Sequence, residues 1–217
     1  RGLAAVVGYP MNYHVTGSIR LAHSRERMQE FERAKGMGVY QGMDLSVVDC
    51  ASLKSRYPFL ETHDLMGGLV DPNDGDIDPA QLTQALAKGA RDKGAKILRF
   101  CPATGIDRKN SEWIVKTSKG EIRCEYVVNA AGYYAQAVGK WFKPFGGRTV
   151  PMMVMSHQYL LTEQIPELEQ WSKQEGRKLP LLRDVDSSYY LRQEKGGLNL
   201  GPYERNCKAH WATPSDA

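Results

Sequence analysis

The stretch VDPNDGDIDPAQLTQALAKGA, residues 70–90, constrains the fold most, because an aspartate-rich turn leads there into a helix. Asp78 suits the helix N-cap, and Pro79 suits the first helical position, where its missing N–H would have no partner. Gln81 stands three residues after the cap, at the spacing of a capping box. Apolar residues then recur at helical period. The pattern predicts a helix over 79–93 that packs on a sheet.

The aspartates of this stretch do not have the spacing of a calcium loop. An EF-hand needs oxygen ligands at positions 1, 3 and 5, glycine at 6 and glutamate at 12. With Gly75 at position 6, Val70, Pro72 and Gln81 fall on ligand positions and only Asp74 fits. The sequence therefore predicts no metal site here.

Composition narrows the class of protein. The 217 residues allow one or two domains, and the net charge of +4 comes from basic residues dispersed among acidic ones. A nucleic-acid binder concentrates such residues on one face, and a membrane helix needs about 18 consecutive apolar residues. We therefore expect neither nucleic acid nor a membrane as partner. The four cysteines lie far apart, which indicates a reducing compartment and no zinc site: Cys50, Cys101, Cys124 and Cys207.

Three strands are predicted after the helix over 79–93, and the last of them ends in small residues. The sequence predicts strands over 96–101, 112–117 and 121–128, the last two as a hairpin with a Lys-Gly turn. The third strand ends in Asn-Ala-Ala-Gly at 129–132 and leads into a helix. So small a strand end permits a planar or phosphate-bearing ligand to approach the backbone. Tight packing of helix on strand is the alternative.

Two later segments carry chemically useful side chains. The segment MMVMSHQYLL reads as one long strand in which His157 shares a face with Met155 and Tyr159. An imidazole among apolar side chains could act as acid or base, and a core histidine is the alternative. In YYLRQE, Tyr190 and Arg192 project to one face, as expected for binding a small anion. A sheet with one solvated face would show the same alternation.

Six segments in order resemble one family of flavoenzymes: GSIRLA, DGDIDPAQLTQALAKGARDKGA, VVNAAGYYAQAVGK, HQYLLTE, LRDVDSSYYLRQE and LGPYE. They resemble the dimethylglycine and sarcosine dehydrogenases of the D-amino-acid-oxidase-like superfamily, from about residue 13 to 204. The resemblance implies an α/β (α+β) fold containing the end of an FAD-binding domain and a substrate domain built on an antiparallel sheet. It assigns 1–78 and 148–217 to the substrate domain and 79–147 to the FAD-binding domain.

The resemblance also implies an activity. Family members oxidise the C–N bond of an N-methylated glycine and pass a hydride to FAD. The implied partners are a small N-methylated amino acid and an electron-transfer flavoprotein, with oxygen as the alternative electron acceptor. The implied location is the bacterial cytoplasm or the mitochondrial matrix. The alternatives are oxidation of another secondary amine or amino acid, and a binding module without flavin.

Site residues follow from the same resemblance. His157 matches the family's histidine beside the substrate, and Tyr190 matches its active-site tyrosine, with Tyr189 as the alternative. Residues implied to contact FAD are Ala103, Ala131, Gly132 and Tyr134. Family members more often have valine at the position of Ala103.

The family's glycine-rich FAD fingerprint has no counterpart in this sequence. Gly36, Gly38 and Gly42 offer only G-x-G-x-x-x-G, and they follow a charged helix rather than a buried strand. We therefore expect Gly36 to end that helix and the following residues to form a loop. The expectation is that the chain is a fragment that begins downstream of the fingerprint and lacks the family's folate-binding half.

Overall fold

The computed structural model describes residues 2–210, which form two compact units. The first contains the chain up to Lys93 together with His157–Arg205, and the second contains Gly94–Ser156 with the described residues from Asn206. These units divide the chain differently from the three segments predicted above, whose division by function stays a prediction. Within the described chain, no helix has the length and apolar character needed to cross a bilayer.

The α-helices are α1 (Leu3–Val7), α2 (Arg25–Tyr40), α3 (Cys50–Arg56), α4 (Pro79–Asp92), α5 (Ala135–Trp141) and α6 (Pro166–Glu175). The strands are β1 (Tyr13–His14), β2 (Ser18–Ala22), β3 (Ser46–Val48), β4 (Gly67–Asp71), β5 (Asp76–Ile77), β6 (Ala103–Lys109), β7 (Glu112–Thr117), β8 (Gly120–Cys124), β9 (Val154–Met155), β10 (Leu160–Leu161), β11 (Leu181–Asp184), β12 (Tyr189–Glu194), β13 (Gly197–Pro202) and β14 (Ala209–His210).

The start of α4 confirms the predicted cap. Asp78 Oδ1 accepts hydrogen bonds from the backbone N–H groups of Ala80 and Gln81, at 2.8 and 3.0 Å, and Pro79 is the first helical residue. The capping box is wrong, because the Gln81 side chain accepts from the backbone N–H of Asn12 instead. A side chain that finds a partner far along the chain is not available to its own helix.

The predicted end of α2 at Gly36 is also wrong. The helix continues to Tyr40, and Gly38 is buried within it. A Cβ on Gly38 would lie 2.8 Å from the Leu45 side chain, so the glycine permits close packing rather than ending the helix. Packing overrides the weak helix propensity of glycine here.

The first unit is built on a seven-stranded sheet in the order β10-β13-β12-β11-β2-β4-β3. Neighbouring strands are antiparallel except β2 and β11, which are parallel. A mostly antiparallel sheet with helices on its faces agrees with the expected fold. The strand pairing places alternate side chains on two faces, and other elements of the unit pack on these faces to different extents.

One face, here called the sealed face, contains the main hydrophobic core. Ile19, Leu21 and Leu182 of the sheet are almost fully buried, and they belong to one cluster with Leu53 of α3 and Leu168 of α6. Removing this apolar surface from water is the main stabilising contribution of the unit.

The opposite face, here called the open face, is covered in part. Phe31 of α2 packs on Ala22 and Leu69 at the β2–β4–β3 end of the sheet. Toward the β10–β13–β12 end, Tyr190 and Asn199 line an open cavity of about 420 Å³. The candidate catalytic residues lie at this second end.

The second unit contains an antiparallel β6-β7-β8 meander, which confirms the predicted hairpin. Trp113 of β7 makes edge-to-face contacts with Phe142 and Phe145. The strand predicted over 96–101 is wrong, and β8 ends at Cys124 rather than at residue 128. A strand requires a hydrogen-bonded neighbour, and among the described residues no strand pairs with either segment.

Candidate functional site

The β12–β13 hairpin positions Tyr190. Its turn is Lys195-Gly196, both with positive φ, and the register pairs Tyr190 with Gly201. The Tyr190 ring lies over Gly201, where a Cβ would come within 2.0 Å of the ring. Glycine at 201 is therefore needed to place this phenol on the open face. Tyr189 packs against the sealed-face core instead, and burial raises its pKa.

The structure corrects the predicted environment of His157. Only β9 and β10 are strands in the segment, and each pairs with a different neighbour, β14 and β13. His157 lies between them, with a side chain that is 33% exposed. It is therefore not a histidine held among apolar side chains on one continuous strand.

Four side chains form the group here called the His157 cluster: His157, Tyr190, Tyr203 and Glu204. His157 Nδ1 lies 2.8 Å from Glu204 Oε2. The His157 and Tyr203 rings meet edge to face with centroids 5.4 Å apart, and the Tyr203 and Tyr190 centroids are 5.9 Å apart. The structure thus brings both predicted catalytic residues into one cluster through Tyr203.

The Glu204 contact determines how His157 can act. The hydrogen bond from His157 lowers the pKa of the Glu204 carboxyl, so this group is ionised at neutral pH. A carboxylate only accepts hydrogen bonds, so in the neutral ring Nδ1 carries the proton and Nε2 carries the lone pair. This is the arrangement of a general base whose ring is oriented by a carboxylate.

Sequence reasoning did not single out Tyr203 and Glu204. Both stand in LGPYE, which contributes to the resemblance but carries no assigned role. The register of the β12–β13 hairpin could have identified them, because it places the residues after Gly201 beside the start of β12. The backbone N–H of Tyr203 donates to Ser188 O at 2.7 Å, which fixes this return.

The residues implied to hold FAD lie in the second unit. Ala103 begins β6, against which α5 packs, and Ala131 precedes a 3-10 helix over Gly132–Tyr134. Asn129 shapes this turn, since its Nδ2 donates to Ala135 O at 2.8 Å. The side chain of Asn129 therefore has a structural role.

This turn fits a group that must approach the backbone closely. Gly132 has a φ of 57°, and a Cβ built on it would have no atom of the described residues within 4 Å. Ala103 and Tyr134 are exposed. The hydrogen bond with Tyr133 raises the pKa of the Tyr134 hydroxyl. The small side chains and open space are compatible with FAD, and the contacts themselves stay a prediction.

Comparison with known proteins supplies the family. The model of the FAD dependent oxidoreductases, DAO, matches residues 1–217. The chain belongs to this family. It is 38% identical over 211 residues to mitochondrial dimethylglycine dehydrogenase of Mus musculus, covering 95% of this chain and 23% of that protein. It is 33% identical over 222 residues to mitochondrial sarcosine dehydrogenase of Homo sapiens, covering 100% and 23%.

A solved structure supports the same fold. The crystal structure of L-proline dehydrogenase from P. horikoshii matches with a TM-score of 0.78 and 25% identity, over 93% of this chain and 52% of that one. These comparisons confirm the predicted resemblance and the flavoprotein fold. The family is FAD-dependent, and this member spans 23% of the length of the two dehydrogenases named above.

Proposed function

We propose that the protein containing this chain oxidises the C–N bond of an N-methylated glycine, dimethylglycine or sarcosine. The contact that carries the proposal is the 2.8 Å hydrogen bond between His157 and Glu204, in a cluster with Tyr190. The similarity to dimethylglycine and sarcosine dehydrogenases supports the substrate class.

His157 removes a proton in this mechanism. The amine of an N-methylated glycine is protonated near neutral pH, and a C–H bond can release a hydride only after the nitrogen has recovered its lone pair. His157 Nε2 accepts the N–H proton, and the Glu204 carboxylate stabilises the resulting imidazolium. The Tyr190 hydroxyl orients the amine by a hydrogen bond.

The cofactor would be held by Ala103, Ala131, Gly132 and Tyr134 of the second unit. When FAD is bound, it supplies the hydride acceptor. An electron-transfer flavoprotein is the proposed final acceptor, with oxygen as the alternative. The mitochondrial matrix or the bacterial cytoplasm is the proposed location.

Stopped-flow reduction of the flavin tests the proposed roles in the protein expressed from the complete open reading frame. His157→Gln and Tyr190→Phe should each slow anaerobic reduction by dimethylglycine by about 10²–10⁴-fold and shift its pH dependence. FAD content and melting temperature should stay unchanged, because His157 is exposed and Tyr190→Phe keeps the ring that packs over Gly201.

The chain offers a matched control for His157. His14 makes the same kind of contact, with its Nδ1 2.8 Å from Asp76 Oδ1 and a side chain 37% exposed. His14→Gln should leave flavin reduction unchanged. If His157→Gln reduces its flavin at the wild-type rate, or loses only stability, the catalytic role is wrong.

A second candidate is oxidation of another secondary amine such as L-proline. The structural similarity to L-proline dehydrogenase favours it. Reduction rates with dimethylglycine, sarcosine and L-proline, compared on the same protein, decide between the candidates.

A further inference from the structure

The turn between β11 and β12, residues 185–188, ends in a residue with an unfavourable backbone conformation. Ser188 has a φ of 61°, in the left-handed region that residues other than glycine seldom adopt. Such a residue keeps its conformation only where the surrounding contacts hold it. The contacts that hold this turn, here called the β11–β12 turn, therefore matter for whatever Ser188 positions.

Two aspartates hold the β11–β12 turn. Asp186 Oδ1 accepts from Nη2 and Nε of Arg27 in α2, at 2.6 and 3.2 Å, and its Oδ2 accepts from the backbone N–H of His23 at 3.5 Å. Asp184 Oδ1 accepts from the backbone N–H of Ser187 within the turn. The hydrogen bond from Arg27 lowers the pKa of the Asp186 carboxyl, so this carboxyl is ionised at neutral pH. Because charge-assisted hydrogen bonds are stronger than neutral ones, Arg27 attaches the turn firmly to α2.

Ser188 connects this turn to the His157 cluster. Its carbonyl oxygen accepts from the backbone N–H of Tyr203 at 2.7 Å. Since β13 ends at Pro202, this hydrogen bond fixes the backbone where the chain leaves the sheet. The next residue is Glu204, whose Oε2 lies 2.8 Å from His157 Nδ1. The conformation of the turn therefore determines where Tyr203 and Glu204 lie relative to His157.

We propose that Arg27 and Asp186 are positioning residues for the His157 cluster. Their ion pair holds the β11–β12 turn, and the turn holds the backbone of Tyr203 and Glu204 through the carbonyl oxygen of Ser188. Both residues act at a distance, because they reach the cluster only through this turn. The catalytic consequence rests on the proposed function, whereas the positioning of the backbone does not.

Arg27 has a second partner, which provides a matched control. Its Nη1 donates to Glu30, which follows three residues later in α2. Glu30→Gln removes the same charge as Asp186→Asn does, yet it leaves the attachment of the turn intact. If the ion pairs of Arg27 only stabilised the fold, the two variants would have similar effects. We therefore expect the Glu30→Gln protein to behave as wild type does in each measurement.

Hydrogen exchange of the Tyr203 amide measures this attachment directly and requires no enzyme activity. Mass spectrometry compares the wild-type protein from the complete open reading frame, with its flavin, and the variants at one pH. Asp186→Asn and Arg27→Gln should each speed this exchange by at least about threefold, because the hydrogen bond to Ser188 opens when the turn is released. The amides of α6, in the same unit, should exchange at the wild-type rate.

A double-mutant cycle tests whether the effect on catalysis passes through Glu204. Stopped-flow reduction of the flavin by dimethylglycine is measured across pH. Asp186→Asn should slow the reduction by about three- to tenfold and change its pH dependence in the same direction as Glu204→Gln does. In the Glu204→Gln protein, adding Asp186→Asn should slow it by less than about twofold further. A residue that only stabilises the fold would slow both proteins equally and leave the pH dependence unchanged.

The outcomes separate this inference from the proposed function. Unchanged exchange of the Tyr203 amide overturns the inference, and so does equal acceleration of the α6 amides or in the Glu30→Gln protein. Additive slowing in the double-mutant cycle overturns it as well. If Asp186→Asn does not fold, exchange in the Arg27→Gln protein decides. If no N-methylated glycine reduces the flavin, the proposed function fails, and the exchange of the Tyr203 amide still decides whether the ion pair positions the cluster.

Discussion

Gln193 and Asn199 are two amides on neighbouring strands of one sheet, each 8% exposed, and they point to opposite faces. On the sealed face, Gln193 Oε1 accepts from the backbone N–H of Leu179 at 2.9 Å, and its Nε2 donates to Ser172 Oγ at 2.8 Å. On the open face, Asn199 Oδ1 has no hydrogen-bond partner among the described residues. The carboxamide on the sealed face is therefore hydrogen-bonded through both its oxygen and its nitrogen, whereas the oxygen of the carboxamide on the open face is not hydrogen-bonded within the described residues.

The contrast extends to charged groups. Asp184 is 2% exposed on the sealed face, yet it accepts from His23 Nε2 at 2.8 Å and from the backbone N–H of Ser187 at 3.0 Å. Within residues 2–210, the Nε–H of Arg192 on the open face has no acceptor. These polar groups of the sealed face are therefore paired, whereas the open face retains two buried polar atoms that have no partner among the described residues, at a cost in stability.

The largest expected difference between the faces concerns apolar side chains. Leu182→Ala removes a fully buried side chain from the sealed face and should lower the free energy of unfolding by about 2–5 kcal/mol. Leu161→Ala, on the open face, should change it by less than about 0.5 kcal/mol, because that side chain is largely exposed. Urea denaturation of both variants measures this. Equal losses would contradict the assignment of Leu182 to the main hydrophobic core.

The two amides give the sharpest comparison. Gln193→Leu leaves the Leu179 N–H without a partner and should cost about 1–3 kcal/mol of unfolding free energy. Asn199→Leu removes an atom that is already unpaired, so stability should stay the same or increase. The same urea titrations apply. A destabilised Asn199→Leu protein would show that this amide serves the fold.

The smallest expected effect on stability concerns His23, whose imidazole is hydrogen-bonded to Asp184 on the sealed face. The hydrogen bond with Asp184 raises its pKa above the usual 6.5, against the opposing effect of burial. A raised pKa in the folded state stabilises fully below pH 6.5, and this contribution is lost as pH rises through the folded value.

The comparison of wild type with His23→Gln measures this contribution. The difference in unfolding free energy should be about 0.2–1 kcal/mol at pH 6 and should shrink as pH rises above neutrality. A difference that grows with pH would contradict the assigned sign.

Sequence reasoning succeeded where neighbouring residues decide the structure. Asp78 and Pro79 start α4 as predicted, and the β7–β8 hairpin forms at the expected turn. Sequence reasoning failed where the structure of a segment depends on a partner far away in the sequence. The predicted strand over 96–101 has no neighbour to pair with, and Gln81 bonds to Asn12, 69 residues away, rather than capping its own helix.

By itself the sequence determined the family, the start of α4, the turn of the β7–β8 hairpin and the alternation that separates Tyr190 and Arg192 from Tyr189. These features depend on atoms within a few residues and on motifs that can be read in order. Only the tertiary structure decided that Glu204 lies against His157, 47 positions earlier, and that Arg192 faces Asn199. The first contact depends on the path of the chain after β13. Strand register sets the second, and a shift of one residue would turn either side chain to the other face.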